Sequence, residues 1–256
     1  MAKVKTLILR APGTNCDMET AVAFRQAGSE VELAHINELL QGQKLLSSYQ
    51  IMVIPGGFTY GDDISAGKIL ANELRLKLGE DIQRFVDDGR LILGICNGFQ
   101  VLVKAGIIPR LTVENPQLLT LARNDSGKFE CRWVYLRVNE TSPCLFTRGI
   151  SRMYLPVAHG EGKVVAEPTV IEKLNVVLYY TDEAGNIQAG YPYNPNGSAN
   201  NIAGICDASG RVFGLMPHPE RYIHWTQHPA WTRQPSKNYG DGLRVFLNAV
   251  EWAKTI

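Results

Sequence analysis

The chain has 256 residues, 45% hydrophobic and 20% charged, enough to bury one sizeable core. Its 26 basic and 25 acidic residues leave a net charge of +1, with neither the basic excess of a nucleic-acid binder nor a charged tail. No apolar run is long enough to cross a bilayer, and the N-terminus lacks the apolar core of a signal peptide. The cysteines are odd in number (Cys16, Cys96, Cys131, Cys144 and Cys206) and form no C-x-x-C pair. A cytoplasmic, reducing setting is therefore expected, with no disulfide framework and no bound metal. Asn139-Glu140-Thr141 and Asn196-Gly197-Ser198 match the glycosylation triplet, but without a secretory signal they read as chance.

Val4–Arg10 is a short apolar run and predicts a strand. Met18, Ala21, Val22 and Phe24 fall at helical spacing before Gly28, and Val31–His35 alternates as a strand does. Ile51–Pro55 is continuously apolar and stops at Gly56-Gly57, as a buried parallel strand would. Residues 65–88 carry helical periodicity, and Leu91–Ile95 is the next buried strand. This alternation predicts an α/β, flavodoxin-like open sheet, mostly parallel, with helices on both faces. The second half changes character. Cys131–Val138, Met153–Val157, Lys163–Ala166, Val176–Tyr180 and Gln188–Tyr191 are short strand candidates between Gly, Pro and Asn turns. They predict antiparallel additions within a single domain spanning residues 1–256. Ile202–Cys206 and Val212–Met216 flank a turn-like Ser209-Gly210 and read as a hairpin, and Gly242–Lys254 reads as a closing helix.

Ligands of open parallel sheets bind at the carboxyl ends of strands, and two of those ends carry unusual residues. In Gly94-Ile95-Cys96-Asn97-Gly98 a thiol sits where a strand turns into a helix, between small neighbours. That is the form of a nucleophile elbow. The helix start favours a thiolate there, and the Asn97 amide would point at a developing oxyanion. The Gly56-Gly57 turn on a neighbouring strand is a source of a second donor amide, since glycine lets its backbone approach a substrate. The plain alternative is a buried cysteine in a tight turn. A thiolate needs a base, and of His35, His159, His218, His224 and His228 the third stands out, within Met216-Pro217-His218-Pro219-Glu220. Each proline biases its predecessor to extended backbone. His218 and Glu220 would then share one face, with the carboxylate orienting the imidazole. The plain alternative here is a proline-rich loop with incidental polar residues.

Other residues stand further back. Cys16, at the end of the first strand, is a rival nucleophile, but without the Gly-x-Cys-x-Gly frame a helix start is the simpler reading. His159, in Ala158-His159-Gly160-Glu161-Gly162, lines the site or caps a turn. His35 reads as structural. Ala66-Gly67-Lys68 lacks the glycine spacing and following Ser/Thr of a phosphate loop.

With these residues in place, the sequence resembles the class I (triad) glutamine amidotransferases, whose pattern is a Gly-x-Cys-x-Gly elbow and a later His-Pro-Glu. The likeness is greatest to the PurQ family, the glutaminase subunits of phosphoribosylformylglycinamidine synthase. It is carried by Gly94–Gln100 with Ala105–Pro109, Pro55–Asp62, Ala158–Gly162, Asn194–Ser198 leading to Ala203–Cys206, and Met216–Arg221. The resemblance implies glutamine hydrolysis to glutamate and ammonia, with Cys96 attacking, His218 shuttling the proton and Glu220 orienting it. Gln100 would help hold the glutamine, with His159 as a further substrate contact. Ammonia would pass to a large PurL-like synthase subunit, accompanied by a small PurS-like subunit, in purine biosynthesis. ATP and magnesium would belong to that partner, and the chain itself would carry no cofactor. Because a free glutaminase wastes glutamine, the isolated chain is expected to be slow, its oxyanion donors misaligned until the partner docks. Two features depart from the family pattern: Arg110 stands where a glycine is expected, and residues 222–240 are longer than expected.

Three other readings share parts of this pattern. A free-standing cysteine peptidase would keep the elbow, and casein against glutamine as substrate separates it. A non-catalytic binding subunit would fail to take a glutamine analogue on Cys96. An amidotransferase serving another acceptor would share the triad and differ only in the remaining blocks.

Overall fold

The computed structural model describes residues 3–110 and 117–256. Its first half alternates strand and helix as expected: β1 (Lys5–Arg10), α1 (Asp17–Gln26), β2 (Glu30–His35), α2 (Ile36–Leu40), β3 (Ile51–Ile54), α3 (Lys68–Lys77), α4 (Gly79–Asp87), β4 (Leu91–Ile95) and α5 (Asn97–Lys104). The single helical stretch expected over 65–88 is two helices, broken at Leu78 before Gly79. The second half adds β5 (Leu119–Arg123), β6 (Glu130–Val138), β7 (Arg152–His159), β8 (Glu161–Ala166), α6 (Pro168–Ile171), β9 (Asn175–Thr181), β10 (Ile202–Cys206), β11 (Val212–Leu215) and α7 (Leu243–Ala253).

Nine of these strands form one sheet in the order β2-β1-β3-β4-β11-β10-β9-β6-β7. The pairings from β2 through β11 are parallel, and those from β11 onward to β7 are antiparallel. The hairpin expected at 202–216 is the hinge between the halves: β11 pairs antiparallel with β10 and parallel with β4. Successive strands move one way from β1 to β2 and the other way from β3 to β4. Right-handed crossovers therefore place α1 on one face and the α3–α5 group on the other. α7 joins α1, with Phe24 and Phe246 edge to face at 5.0 Å. Covered on both sides, β3 and β4 are buried at every position, which is why they read as unbroken apolar runs.

Several expectations are corrected. Lys163–Ala166 is a strand, but β8 pairs with β5 in a separate two-stranded sheet, and β5 was not anticipated. Residues 188–191 form turns, closed by bonds such as Tyr193 N to Gly190 O at 2.9 Å. Of the apolar residues on α1, Ala21 and Phe24 are buried, whereas Met18 and Val22 are 57% and 44% exposed. Their one-turn spacing puts them on the outer face, and Asp17 and Thr20 turn inward instead. Arg110 adopts a φ of 56°, the left-handed conformation that a glycine takes without cost. Residues 222–240 fold back on β6 and β7. His228 packs among Trp133, Tyr154 and Tyr222, at ring separations of 5.3–5.8 Å, and Asp241 accepts the backbone N–H of Tyr154 at 3.0 Å.

α5 approaches the sheet closely under the Cys96 turn. A Cβ added at Gly98 would fall 1.8 Å from the Ile54 carbonyl oxygen of β3. Gly98→Ala must therefore push α5 off the sheet, and it is expected to cost about 1–3 kcal/mol or more and to lower Tm. Gly79→Ala, whose Cβ would meet nothing within 4 Å, is expected to leave Tm near that of the wild type. Thermal unfolding of the two variants checks the contrast.

Candidate active site

The carboxyl ends of β1, β3, β4 and β11 converge on one edge of the sheet, and the singled-out residues gather there. Cys96 follows β4 at φ 52° and ψ −103°, a conformation that costs an L-residue about 1–3 kcal/mol. Neighbours on both sides hold it. Its N–H donates to Leu215 O of β11 at 2.8 Å, and its carbonyl accepts Gln100 N at 3.2 Å. The strained turn lifts the thiol onto the wall of a cavity of about 290 Å³ shared with Gly57, Gln100 and His159. Its Sγ donates to Ala158 O at 3.6 Å.

His218 and Glu220 arrive from the end of β11. The backbone N–H of His218 donates to Pro156 O on β7 at 2.8 Å, and its Nδ1 lies 2.6 Å from Glu220 Oε1. The pair is as expected, but its backbone is not. Pro219–Arg221 is one turn of 3₁₀ helix rather than an extended segment, because Pro219 suits the first position of a helix and its carbonyl accepts Tyr222 N at 3.1 Å. Both side chains are buried. Burial favours a neutral His218, but the Glu220 carboxylate, followed by Cys96 and Cys16, outweighs it and raises the imidazole well above its ordinary range. His159 moves the other way: burial, then the charge of His218, pushes it down to about 3.

The two glycines divide their work. The Gly56 carbonyl accepts the amides of Cys16 at 3.1 Å and Asn15 at 3.4 Å, while Phe58 N donates to Gly13 O at 2.9 Å. In a trans peptide the N–H opposes the C=O, so the Gly57 N–H faces away from this loop, and Gly57 lines the cavity. Its φ of 153° excludes a side chain without strain. Gly56 lies behind the cavity wall, where an added Cβ would fall 2.8 Å from His218 Cε1. Flipping the Gly56-Gly57 peptide would cost the two bonds to the Gly56 carbonyl. The Asn97 amide opens α5 beside Cys96, where no intrahelical acceptor exists for it.

The side chains of Asn97 and Gln100 brace the rim. Asn97 Oδ1 accepts Thr59 Oγ1 at 2.7 Å, and its Nδ2 donates to Gln100 Oε1 at 2.9 Å and Asp62 Oδ1 at 3.2 Å. Gln100 Nε2 donates to Glu161 O at 2.6 Å. Gln100 thus lines the cavity with both polar atoms already bonded to the protein.

Cys16 holds a place that its sequence context did not indicate. Its Sγ, a nitrogen of His218 and an oxygen of Glu220 lie within 4.8 Å of one another, a donor set that suits zinc in kind. Arg221 already supplies positive charge there, with Nη2 3.0 Å from Cys16 Sγ and Nε 3.9 Å from Glu220 Oε1. The position of Cys16 at a strand end and the arginine directly after Glu220 were the available signals. His35 accepts Asn37 N at 3.2 Å and caps α2, the structural role expected of it.

A thiol on a strained turn, a buried imidazole–carboxylate pair and the amides of Gly57 and Asn97, without a partner among the described residues, are equipment suited to acyl transfer through a thioester. A family model described as CobB/CobQ-like glutamine amidotransferase domain matches residues 3–253, which places this chain in the glutamine amidotransferase class. The chain is 60% identical to phosphoribosylformylglycinamidine synthase subunit PurQ of Dehalococcoides mccartyi, over the whole of both chains. It is 41% identical to the PurQ subunit of Methanococcus maripaludis, over 97% of each. Among solved structures, PurLQS from Thermotoga maritima contains a chain that superposes with a TM-score of 0.76 at 32% identity, covering 98% of this chain and 99% of that one. The chain belongs to the PurQ family.

The His218–Glu220 pair carries a pH signature. The folded imidazole titrates above the unfolded one, near 6.5. The stability contributed by the pair is thus complete below about pH 6.5 and is lost as the pH rises through the folded value. Thermal unfolding between pH 6 and 9 is expected to show wild-type stability falling with pH, and Glu220→Gln, which removes the raising charge, is expected to flatten that slope.

Proposed function

We propose that this chain is the glutaminase subunit of phosphoribosylformylglycinamidine synthase, acting as one domain in the cytoplasm. The observation that carries this reading is the strained Cys96 thiol on the cavity wall acting on the buried His218–Glu220 pair at the same edge of the sheet. In the proposed reaction, Cys96 Sγ attacks the side-chain carboxamide carbon of glutamine. The C–N bond breaks as His218 delivers a proton to the departing ammonia, leaving a thioester. Water then hydrolyses the thioester to glutamate and restores the thiol. Glu220 keeps the imidazole oriented, and the amides of Gly57 and Asn97 receive the oxyanion, a contribution on the order of 10²–10³ in rate per donor. In this assignment Gly56 holds the donor turn, Gln100 braces the rim, and His159 contacts the substrate.

The cavity suits an amino acid. Its wall carries Arg123 and Lys128 as well as Asp62 and Glu161, charges of both signs for a zwitterionic end. Ammonia then passes to a PurL-like synthase subunit, with a PurS-like subunit completing the assembly. ATP and magnesium are used on that partner, where the formylglycinamide ribonucleotide is converted to its amidine in purine biosynthesis.

In the assembled complex, Cys96→Ala is expected to abolish synthesis from glutamine, by at least about 10⁴-fold, while synthesis from added ammonia survives. His218→Ala should be nearly as damaging and Glu220→Gln milder, because nucleophile and base remain. Steady-state assays with each nitrogen source check this. Persistence of glutamine use in Cys96→Ala would shift the nucleophile to Cys16.

A further inference from the structure

His159 ends β7 and lies on the cavity wall beside Cys96, only 2% exposed. Its tautomer is set by its neighbours. Asn124 donates Nδ2 to two carbonyl oxygens, Lys128 O at 2.9 Å and His159 O at 2.8 Å. Carbonyls only accept, so the orientation of the Asn124 amide is fixed. Its Oδ1 is then the atom 3.1 Å from His159 Nδ1, and because Oδ1 also only accepts, Nδ1 carries the ring proton. Burial and the nearby His218 keep the ring neutral, with its pKa pushed down to about 3. The other nitrogen, Nε2, is a bare lone pair. It is fully buried and has no hydrogen-bond partner among the described residues, a condition rare enough in folded proteins to need a reason.

The glutaminase reading supplies one, and the role assigned to His159 rests on that reading. Glutamine has two nitrogen donors. Its α-ammonium has the rim carboxylates of Asp62 and Glu161 to meet. Its carboxamide must lie at Cys96, whose Sγ touches the carbonyl of Ala158, the residue preceding His159. We propose that His159 is the amide-selecting residue of the site, its Nε2 accepting an N–H of the substrate carboxamide while Cys96 attacks the adjacent carbonyl carbon. No proton moves to His159 in this step. Ammonia receives its proton from His218, and His159 holds the nitrogen end in register. The same lone pair opposes the γ-carboxylate of glutamate, which presents only acceptors at neutral pH.

The glutamate γ-methyl ester tests this, because it keeps the reacting carbonyl and the thioester route but has no N–H to donate. With the synthase subunits present, His159→Ala is expected to lower kcat/KM for glutamine far more than for the ester, reducing the amide-to-ester ratio by about tenfold or more. Asn124→Ala, which lies outside the cavity wall and only frees the tautomer, is expected to move the ratio in the same direction by a smaller factor. A purely structural role for His159 lowers both substrates alike. An unchanged ratio in a folded His159→Ala, or in Asn124→Ala if the first variant does not fold, overturns the proposal. Hydrolysis of neither substrate by the wild type would remove the glutaminase reading itself and this proposal with it.

Discussion

The contact of Gly98 with the Ile54 carbonyl is the constraint on which the site depends. Only a glycine lets α5 press this close to β3, and α5 can begin there only if the residue before it turns sharply out of β4. That residue is Cys96, and its φ of 52° records the turn. The strain persists because β11 and the first turn of α5 both bind its peptide groups. The thiol position is thus set by packing across three strands and a helix rather than by the turn alone. A rigid support of this kind holds a reacting group better than a loop does.

Around that fixed thiol, charge is arranged by burial. Two buried imidazoles are driven apart, His218 upward by Glu220 against burial and His159 downward by burial and by His218. Groups pushed apart in this way take different chemical roles at one pH. In the proposed reaction the raised ring serves proton transfer and the neutral one recognition. The rim opposite is braced by another buried charge. Burial lowers the pKa of Lys104, while Glu161 and Asp62 oppose that loss. Its ammonium donates to Ala66 O at 2.5 Å and Ser65 Oγ at 3.1 Å, tying the 59–67 segment to the end of α5.

The parallel half was legible because strands buried on both faces leave continuous apolar runs, and the elbow because its glycines flank a thiol at fixed spacing. The His218–Glu220 pair was legible in its partners but not in its backbone: alternation and a 3₁₀ turn can both bring such a pair together. Periodicity on α1 indicated a helix but not which of its apolar residues are covered: Met18 and Val22 are exposed. Strand β5 and the non-strand at 188–191 were missed because short edge segments depend on partners far away in sequence. The bracing work of Gln100 and the Asn124–His159 contact involve residues tens of positions apart, beyond the reach of any local pattern.

Two thiols share one histidine, and Cys16 differs from Cys96, the proposed nucleophile, in its surroundings. Both sulfurs act on His218, so proximity to the base does not separate them. Backbone and access do. Cys16 begins α1 at an unstrained φ of −98°, and its sulfur is packed behind Gly56 against Asn15 and Arg221. It lies off the cavity wall that carries Cys96. In the proposed reaction a substrate carbonyl entering that cavity would meet Cys96 between the amides of Gly57 and Asn97, whereas Cys16 is buried. Attack requires both an approach path and a receptor for the oxyanion; of the two cysteines only Cys96 lines the cavity, which is why the proposed reaction is assigned to it.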